Sequence, residues 1–172
     1  RQSLVGSEMC IRDSHCGLGT FTIPLSRYFN KVLATENSRP SIQALHENVK
    51  LNNIENVYTG RLSGKETLEA FKGVRIFRRL KDIDLEQFEI DSIFLDPPRE
   101  GLDSFTLENI IGIKNIIYIS CSFDSFKRDI QALEATHDIL KLAMFDQFPY
   151  TEHIESGLSL IHISEPTRLC RI

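Results

Sequence analysis

Hydrophobic and polar positions follow two different periods along this chain. Apolar runs of five or six residues at 31–35, 91–95 and 115–120 each end at a polar side chain, which predicts buried strands. Between these runs, apolar residues recur every three or four positions, as at Ile42, Leu45 and Val49, which predicts amphipathic helices. Strands that alternate with helices predict an α/β fold with a doubly wound, mostly parallel sheet.

The predicted elements cover most of the chain. The predicted strands are 31–35, 56–62, 91–95, 115–120, 139–145 and one that begins at His153. The predicted helices are 22–29, 40–52, 66–71, 107–113 and 124–136, and the second of these starts where Pro40 follows Ser38. Segment 73–88 is polar and irregular, and it contains a basic cluster formed by Arg75, Arg78, Arg79 and Lys81.

Composition is that of one ordinary globular domain, with 172 residues, 41% hydrophobic and 26% charged. The formal charge of −4 gives no overall basic surface, so an RNA partner would need a local basic patch or a further domain. No apolar run approaches the length of a membrane span. The four cysteines (Cys10, Cys16, Cys121 and Cys170) have no CxxC spacing, so neither a zinc site nor a redox pair is indicated.

The two ends of the chain are related through their codons. Segment 3–14 reads SLVGSEMCIRDS, and segment 158–169 reads LSLIHISEPTRL. The DNA CTG TCT CTT ATA CAC ATC encodes LSLIHI, and its reverse complement contains ATG TGT ATA AGA GAC AG, which encodes MCIRD. We interpret residues 1–14 and 158–172 as translated sequencing adapter that flanks a natural segment, 15–157, cut from a longer protein. We therefore expect the first strand of the sheet to be lost, and the chain to fold poorly and to be inactive.

A glycine-containing turn, HCGLGTF, precedes the first predicted helix, and the strand after that helix ends at Glu36. Glycines let the backbone approach a ligand closely, and an acid at the end of the next strand can accept hydrogen bonds from both ribose hydroxyls. The full GxGxxG pattern is absent, so an adenosyl cofactor without phosphates fits better than a dinucleotide. The alternative is a tight turn followed by a solvated glutamate.

Three further polar positions follow apolar runs. Asp96 closes a strand in the segment FLDPPREGLD, where it can orient a ligand, and Arg99 is suited to a phosphate or a base; the alternative is a rigid turn. Cys121 ends the run NIIYISC, where it is either a nucleophile or a small buried hydrophobe. Glu155 ends FDQFPYTEHIE and is either a functional carboxylate or a solvated strand residue, while His153 could be a core or surface histidine.

Taken in order, CGLGTF, LATE, DPPR, ISC and FDQFPYTEHIE resemble the family of S-adenosylmethionine-dependent RNA uracil-5 methyltransferases. Segment 73–85 resembles an insertion typical of the tRNA branch, which methylates the T-loop uridine. The resemblance covers nearly all of 15–157. It implies a Rossmann-like methyltransferase whose doubly wound sheet has an antiparallel last strand.

The resemblance also implies roles for individual residues. Cys121 would add to C6 of the uracil, and Glu155 would remove the proton from C5 as the general base. Glu36 would bind the ribose of S-adenosylmethionine, and Arg99 would bind RNA. The implied cofactor-binding residues are His15, Gly17, Gly19, Thr20, Glu36 and Asp96. Asp13 matches the acid of the family's first strand, whereas Ser122-Phe123 stand where the family usually has Asn-Pro.

Two alternatives keep the fold but change the function. The first is a ribosomal RNA uracil-5 methyltransferase, against which segment 73–85 argues. The second is an inactive RNA-binding fragment. For the favoured function we expect a monomer in the cytoplasm that acts on the T arm of tRNA and requires neither a metal nor a membrane.

Overall fold

The computed structural model describes residues 9–80, 83–147, 149–151 and 154–163. The chain divides into two compact units, Arg1–Pro97 and Pro98–Ile172. The strands are β1 (Cys10–Ser14), β2 (Lys31–Thr35), β3 (Val57–Gly60), β4 (Ile90–Leu95), β5 (Asn115–Ser120), β6 (His137–Phe145) and β7 (Glu155–His162). The helices are α1 (Thr22–Leu25), α2 (Arg39–Leu51), α3 (Gly64–Phe71), α4 (Ser104–Ile110) and α5 (Phe123–Leu133).

The sheet of the first unit is parallel. β1 lies between β2 and β4, and β3 pairs with the other side of β2. Ser14 is in register with Thr35 on one side and with Leu95 on the other, so β1, β2 and β4 end at the same edge. Residues that follow these strands are therefore brought together at that edge.

Local sequence explains where the helices of this unit begin. The Ser38 side chain accepts a hydrogen bond from the Ser41 backbone N–H, and Pro40 lies in the first turn of α2. Ile42 and Leu45 then pack against Ala34 of β2 in one core cluster. α3 begins with a capping box between Ser63 and Glu66.

The second unit confirms the antiparallel last strand. β7 pairs antiparallel with both β5 and β6, so β5 and β6 run in the same direction. β5 has the predicted bounds, 115–120, because an apolar run of that length suits a buried strand. β7 begins at Glu155, and His153 lies outside the described residues.

The predicted helices differ in their bounds from those in the structure, most clearly at α1, α4 and α5, and α5 ends at Leu133 rather than at residue 136. α4 spans 104–110 rather than 107–113, because the Asp103 side chain accepts from the Thr106 backbone N–H at 2.8 Å and caps an earlier start. α1 ends at Leu25 rather than at residue 29. Segment 73–88 contains two short 3₁₀ turns, Arg78–Leu80 and Leu85–Gln87, and Lys81 is outside the described residues.

The expectation that the first strand is lost is wrong for the structure, because β1 forms and is buried at every position. Backbone pairing with β2 and β4 does not depend on particular side chains, so this strand can form with many sequences. Arg12 nevertheless fits badly, since it is 3% exposed and its Nε and Nη2 have no hydrogen-bond partner among the described residues. Leu158 and Leu160, by contrast, are buried and match the alternation of β7. The interpretation of both ends as adapter remains a prediction.

Candidate active site

The glycine turn after β1 exposes backbone at the edge where the parallel strands end. His15, Gly17 and Gly19 all have positive φ, at 65°, 53° and 93°. A Cβ at Gly17 would meet nothing within 4 Å, so this part of the turn faces open space. A Cβ at Gly19 would collide with Leu45, so glycine is required there for packing as well as for its φ.

Glu36 connects this turn to the start of α2 through two hydrogen bonds. Its Oε2 accepts from the Gly17 backbone N–H at 3.1 Å, and its Oε1 accepts from the Ser38 backbone N–H at 2.8 Å. The carboxylate is half-buried beside the open face of Gly17. The structure thus brings together Glu36 and the turn that the sequence predicted to act with it.

Asp13 is a third acidic group in this region, and it is absent from the predicted cofactor-binding residues. It is 1% exposed, its Oδ2 accepts from the Thr22 hydroxyl, and its Oδ1 has no hydrogen-bond partner among the described residues. The pKa of Asp13 is raised from 3.8 to about 7, chiefly by burial and to a smaller extent by the negative charges of Asp96 and Glu36, while the hydrogen bond from Thr22 acts in the opposite direction. These electrostatic effects show that the three carboxyl groups are close enough to share one region of the first unit.

This arrangement fits S-adenosylmethionine, which carries a positive sulfonium and a positive ammonium group. Three neighbouring carboxyl groups favour such cationic groups, and the open turn at Gly17 leaves backbone accessible to them. His15 is half-buried, and its Nδ1 lies 3.4 Å from the Ser14 hydroxyl. Thr20 is exposed.

In the second unit, the pairing of β5 with β7 brings the segments that carry Cys121 and Glu155 next to each other. Ser120 at the end of β5 pairs with Ser156 of β7 in an antiparallel ladder. Cys121 directly follows Ser120 and Glu155 directly precedes Ser156, so both residues lie at the same end of this ladder. Both residues are half-buried, so a ligand can reach them. A thiol and a carboxylate at adjacent strand ends are the pair that the sequence predicted.

Ser120 holds the turn that carries Cys121. Its hydroxyl donates to the Ser122 carbonyl at 3.0 Å and accepts from the Ser122 backbone N–H at 3.1 Å. The Ser122 carbonyl also accepts from the Phe126 backbone N–H in the first turn of α5. Cys121 therefore lies in a turn that is fixed on both sides. Ser120 could not be singled out from the sequence, because a serine at a strand end is common.

A buried carboxylate, Asp129, ties α5 to β5 and to the loop after the two prolines. It is fully buried and accepts from the Tyr118 hydroxyl at 2.7 Å and from the Leu102 backbone N–H at 2.8 Å. It also pairs with Arg128 at 2.7 Å. Arg99, in the same loop, is exposed and available to a ligand.

The accessibility of the described cysteines separates Cys121 from Cys10 and Cys16. Cys10 and Cys16 are buried, whereas Cys121 is half-buried. Burial raises the pKa of the Cys16 thiol, and the charges of Asp13 and Glu36 raise it further, so Cys16 stays protonated. Cys121 is thus the most accessible thiol among the described cysteines.

Comparison with known sequences agrees with this geometry. The profile of the tRNA (uracil-5-)-methyltransferase family matches residues 5–163. The chain belongs to this family. A tRNA/tmRNA (uracil-C(5))-methyltransferase of Nitratiruptor sp. is 54% identical over 146 residues, which are 85% of this chain and 41% of that protein. One of the same name from Sulfurovum sp. is 52% identical over 148 residues, 86% of this chain and 40% of that protein. The chain thus spans about two fifths of these curated relatives.

Solved structures confirm the Rossmann-like methyltransferase fold. The tRNA (uracil-54, C5)-methyltransferase of Pyrococcus abyssi, in complex with S-adenosyl-L-homocysteine, has a TM-score of 0.69 and 26% identity. The match covers 92% of this chain and 35% of that chain. An rRNA methylase from Streptococcus thermophilus has a TM-score of 0.68 at 11% identity, covers 91% of this chain and 88% of that one, and shows the fold alone.

Two other kinds of site have no candidate among the residues that the structure describes. Within the described ranges, no helix is both long and apolar enough to cross a membrane. The same residues contain no group of three or more His, Cys, Asp or Glu side chains that could hold a metal ion.

Proposed function

We propose that the full-length protein methylates C5 of a uridine in the T loop of tRNA, with S-adenosylmethionine as the methyl donor. The pairing of Ser120 with Ser156 supports the proposal, because it brings the segments that carry Cys121 and Glu155 to one end of the ladder and the reaction needs a nucleophile and a base on one pyrimidine ring. Membership of the family supports tRNA as the substrate. We further propose that the protein acts in the cytoplasm as a monomer.

Cys121 begins the reaction. Its thiolate adds to C6 of the uracil, a C–S bond forms, and the electron pair of the C5–C6 double bond moves towards the C4 carbonyl as an enolate. This activation is needed because C5 of an unmodified uracil is a poor nucleophile. Bound S-adenosylmethionine supplies an electrophilic methyl group, which C5 captures.

Glu155 completes the reaction. After methylation C5 carries both a methyl group and a proton, and the Glu155 carboxylate accepts that proton. The electrons of the broken C–H bond restore the C5–C6 double bond, and the C6–S bond breaks to release the Cys121 thiolate. The C5 proton leaves, C5 keeps the methyl group, and the enzyme regains its thiolate.

The first unit binds the methyl donor in this proposal. Glu36 accepts hydrogen bonds from the ribose hydroxyls with the lone pairs that Gly17 and Ser38 leave available. Asp96 adds negative charge that favours the cationic groups of the cofactor. The target base must leave its stack before Cys121 can reach C6, and a loop uridine is easier to extract than one in a duplex.

RNA that contains 5-fluorouridine tests the proposal. Fluorine at C5 cannot be removed as a proton, so the Cys121–C6 bond should persist as an adduct on a denaturing gel. We expect the full-length protein and its Cys16→Ala variant to form the adduct with T-arm RNA, and Cys121→Ala to form none.

The same experiment separates the two alternatives. An adduct that forms with ribosomal RNA but not with T-arm RNA would assign the enzyme to ribosomal RNA. Failure of the full-length protein to form any adduct, while still binding RNA, would indicate an inactive RNA-binding protein of the same fold.

A further inference from the structure

A basic cavity on the first unit lies at the outer side of β3. It has a volume of about 510 Å³, and one face of α2 supplies part of its wall. The lining residues are Arg39, Ile42, Gln43, His46, Thr59, Arg61 and Arg79. Residues 39, 42, 43 and 46 share a helix face because they are three or four positions apart. None of the lining residues is used by the reaction proposed above.

Two of the three guanidinium groups in this cavity are free to bind a ligand. Arg39 and Arg61 are exposed and have no ion pair or side-chain hydrogen bond with any described residue. Arg79 is already engaged, since its Nη2 contacts Glu66 at 2.7 Å and its Nη1 donates to the Arg61 carbonyl at 2.6 Å. Arg79 and Glu66 therefore neutralise each other, and Arg39 and Arg61 carry the net positive charge.

The position of Arg39 is not explained by helix stability. Arg39 is the first residue of α2, where a positive charge opposes the helix dipole. The surrounding segment is also basic, since residues 39–79 contain eight Lys or Arg and four Asp or Glu, whereas the whole chain has a net charge of −4. A local positive region on an acidic chain favours an anionic ligand.

We propose that this cavity binds a phosphate group of the RNA backbone, with Arg39 and Arg61 as the contacts. The proposal rests on the function proposed above, because it assumes an RNA substrate. Guanidinium groups match phosphate oxygens through paired hydrogen bonds. His46, whose Nε2 contacts the Thr59 hydroxyl, provides a polar wall beside them. The cavity binds phosphate from any base, so it positions the RNA without reading its sequence.

The test compares tRNA affinity over a range of salt concentrations for three forms of the full-length protein. These are the unmodified protein, Arg39→Gln/Arg61→Gln, and the control Arg27→Gln/Lys50→Gln, which removes two exposed charges outside the cavity. We expect the cavity variant to bind tRNA about tenfold more weakly near physiological salt, with a log–log salt slope smaller by about 1 to 2. Affinity for S-adenosylhomocysteine should not change. Arg39→Lys/Arg61→Lys should recover part of the slope, because it keeps the charge.

The outcomes distinguish this inference from the function on which it rests. If the unmodified protein methylates tRNA and the cavity variant has the affinity and salt slope of the control, the cavity inference is wrong and the function stands. If the unmodified protein neither binds nor methylates tRNA, both fail. Inorganic pyrophosphate serves as a small anionic probe. If the cavity variant no longer binds pyrophosphate but keeps the tRNA affinity of the unmodified protein, the cavity binds a free phosphate compound instead of RNA.

Discussion

Phe145 of β6 and Glu155 of β7 pair directly across two antiparallel strands. Residues that face each other in this way project from the same side of the sheet, so the aromatic side chain lies beside the carboxylate. The Phe145 ring therefore provides an apolar surface next to the proposed general base.

The role of Glu155 predicts a specific kinetic defect. Glu155→Gln should lower the methylation rate about 10²- to 10⁴-fold, because the amide cannot accept the C5 proton. The step before it should survive, so a covalent complex with ordinary uridine RNA should accumulate. Denaturing gels and single-turnover methyl transfer measure the two effects. An unchanged rate without a trapped complex would remove Glu155 from the reaction.

Because the pKa of Asp13 is raised, we expect the free energy of unfolding to fall as the pH rises. Its pKa is raised from 3.8 to about 7, so the folded chain holds a proton that the unfolded chain releases. The contribution is fully present below about pH 4 and is lost as the pH passes 7, and its size is roughly 4 kcal/mol. Urea denaturation between pH 4.5 and 8 should show this slope, and Asp13→Asn should lack it. Equal slopes in both proteins would contradict the prediction.

Replacement of the buried Arg12 by an apolar residue should stabilise the chain. Arg12→Leu removes a buried guanidinium whose pKa burial lowers to about 10 and whose Nε and Nη2 have no partner. The free energy of unfolding should rise by about 1–4 kcal/mol. Arg27→Leu, at an exposed position, should change it by less than about 0.5 kcal/mol. Loss of stability in Arg12→Leu would show that Arg12 has a partner outside the described residues.

Sequencing of genomic DNA at the codon for Arg12 tests the adapter interpretation. We expect genomic DNA that is sequenced outwards from primers inside 15–157 to encode an apolar residue in place of Arg12. An intact genomic reading frame that contains SLVGSEMCIRDS would refute the adapter interpretation.

A side chain added at Gly101 should clash with Asp129. Its φ is +79°, and an added Cβ would lie 2.6 Å from both Arg128 Nη2 and Asp129 Oδ2. Gly101→Ala should therefore destabilise the chain by about 1–3 kcal/mol. Gly112→Ala is the matched control, because nothing lies within 4 Å of its Cβ position. Thermal unfolding of the two variants measures the difference, and equal melting temperatures would contradict the prediction.

The sequence predicts the elements that one local signal determines. The apolar run of β5 and the Ser38–Pro40 start of α2 lie where expected, because length, capping and proline act over a few residues. The start of α4 was missed because its cap, Asp103, was considered only as part of the DPPR loop.

Site residues that depend on tertiary contacts are harder to find. Asp129 looks like an ordinary polar position of an amphipathic helix until Tyr118 and Leu102 are seen to donate to it. The proximity of the segments that carry Cys121 and Glu155 likewise depends on a strand register between segments more than thirty residues apart. The motifs identified the chemical groups, whereas only the pairing of β5 with β7 shows that their segments are neighbours.

The outer strand β6 exposes apolar side chains that favour self-association. Among the described residues it pairs only with β7, and Leu140, Leu142 and Met144 are each more than half exposed. An apolar strand with a free edge can add a strand from another molecule, which is the first step of self-association. Expressed alone, this 172-residue piece should accumulate in inclusion bodies, and a lysine in place of Leu142 should shift it towards the supernatant.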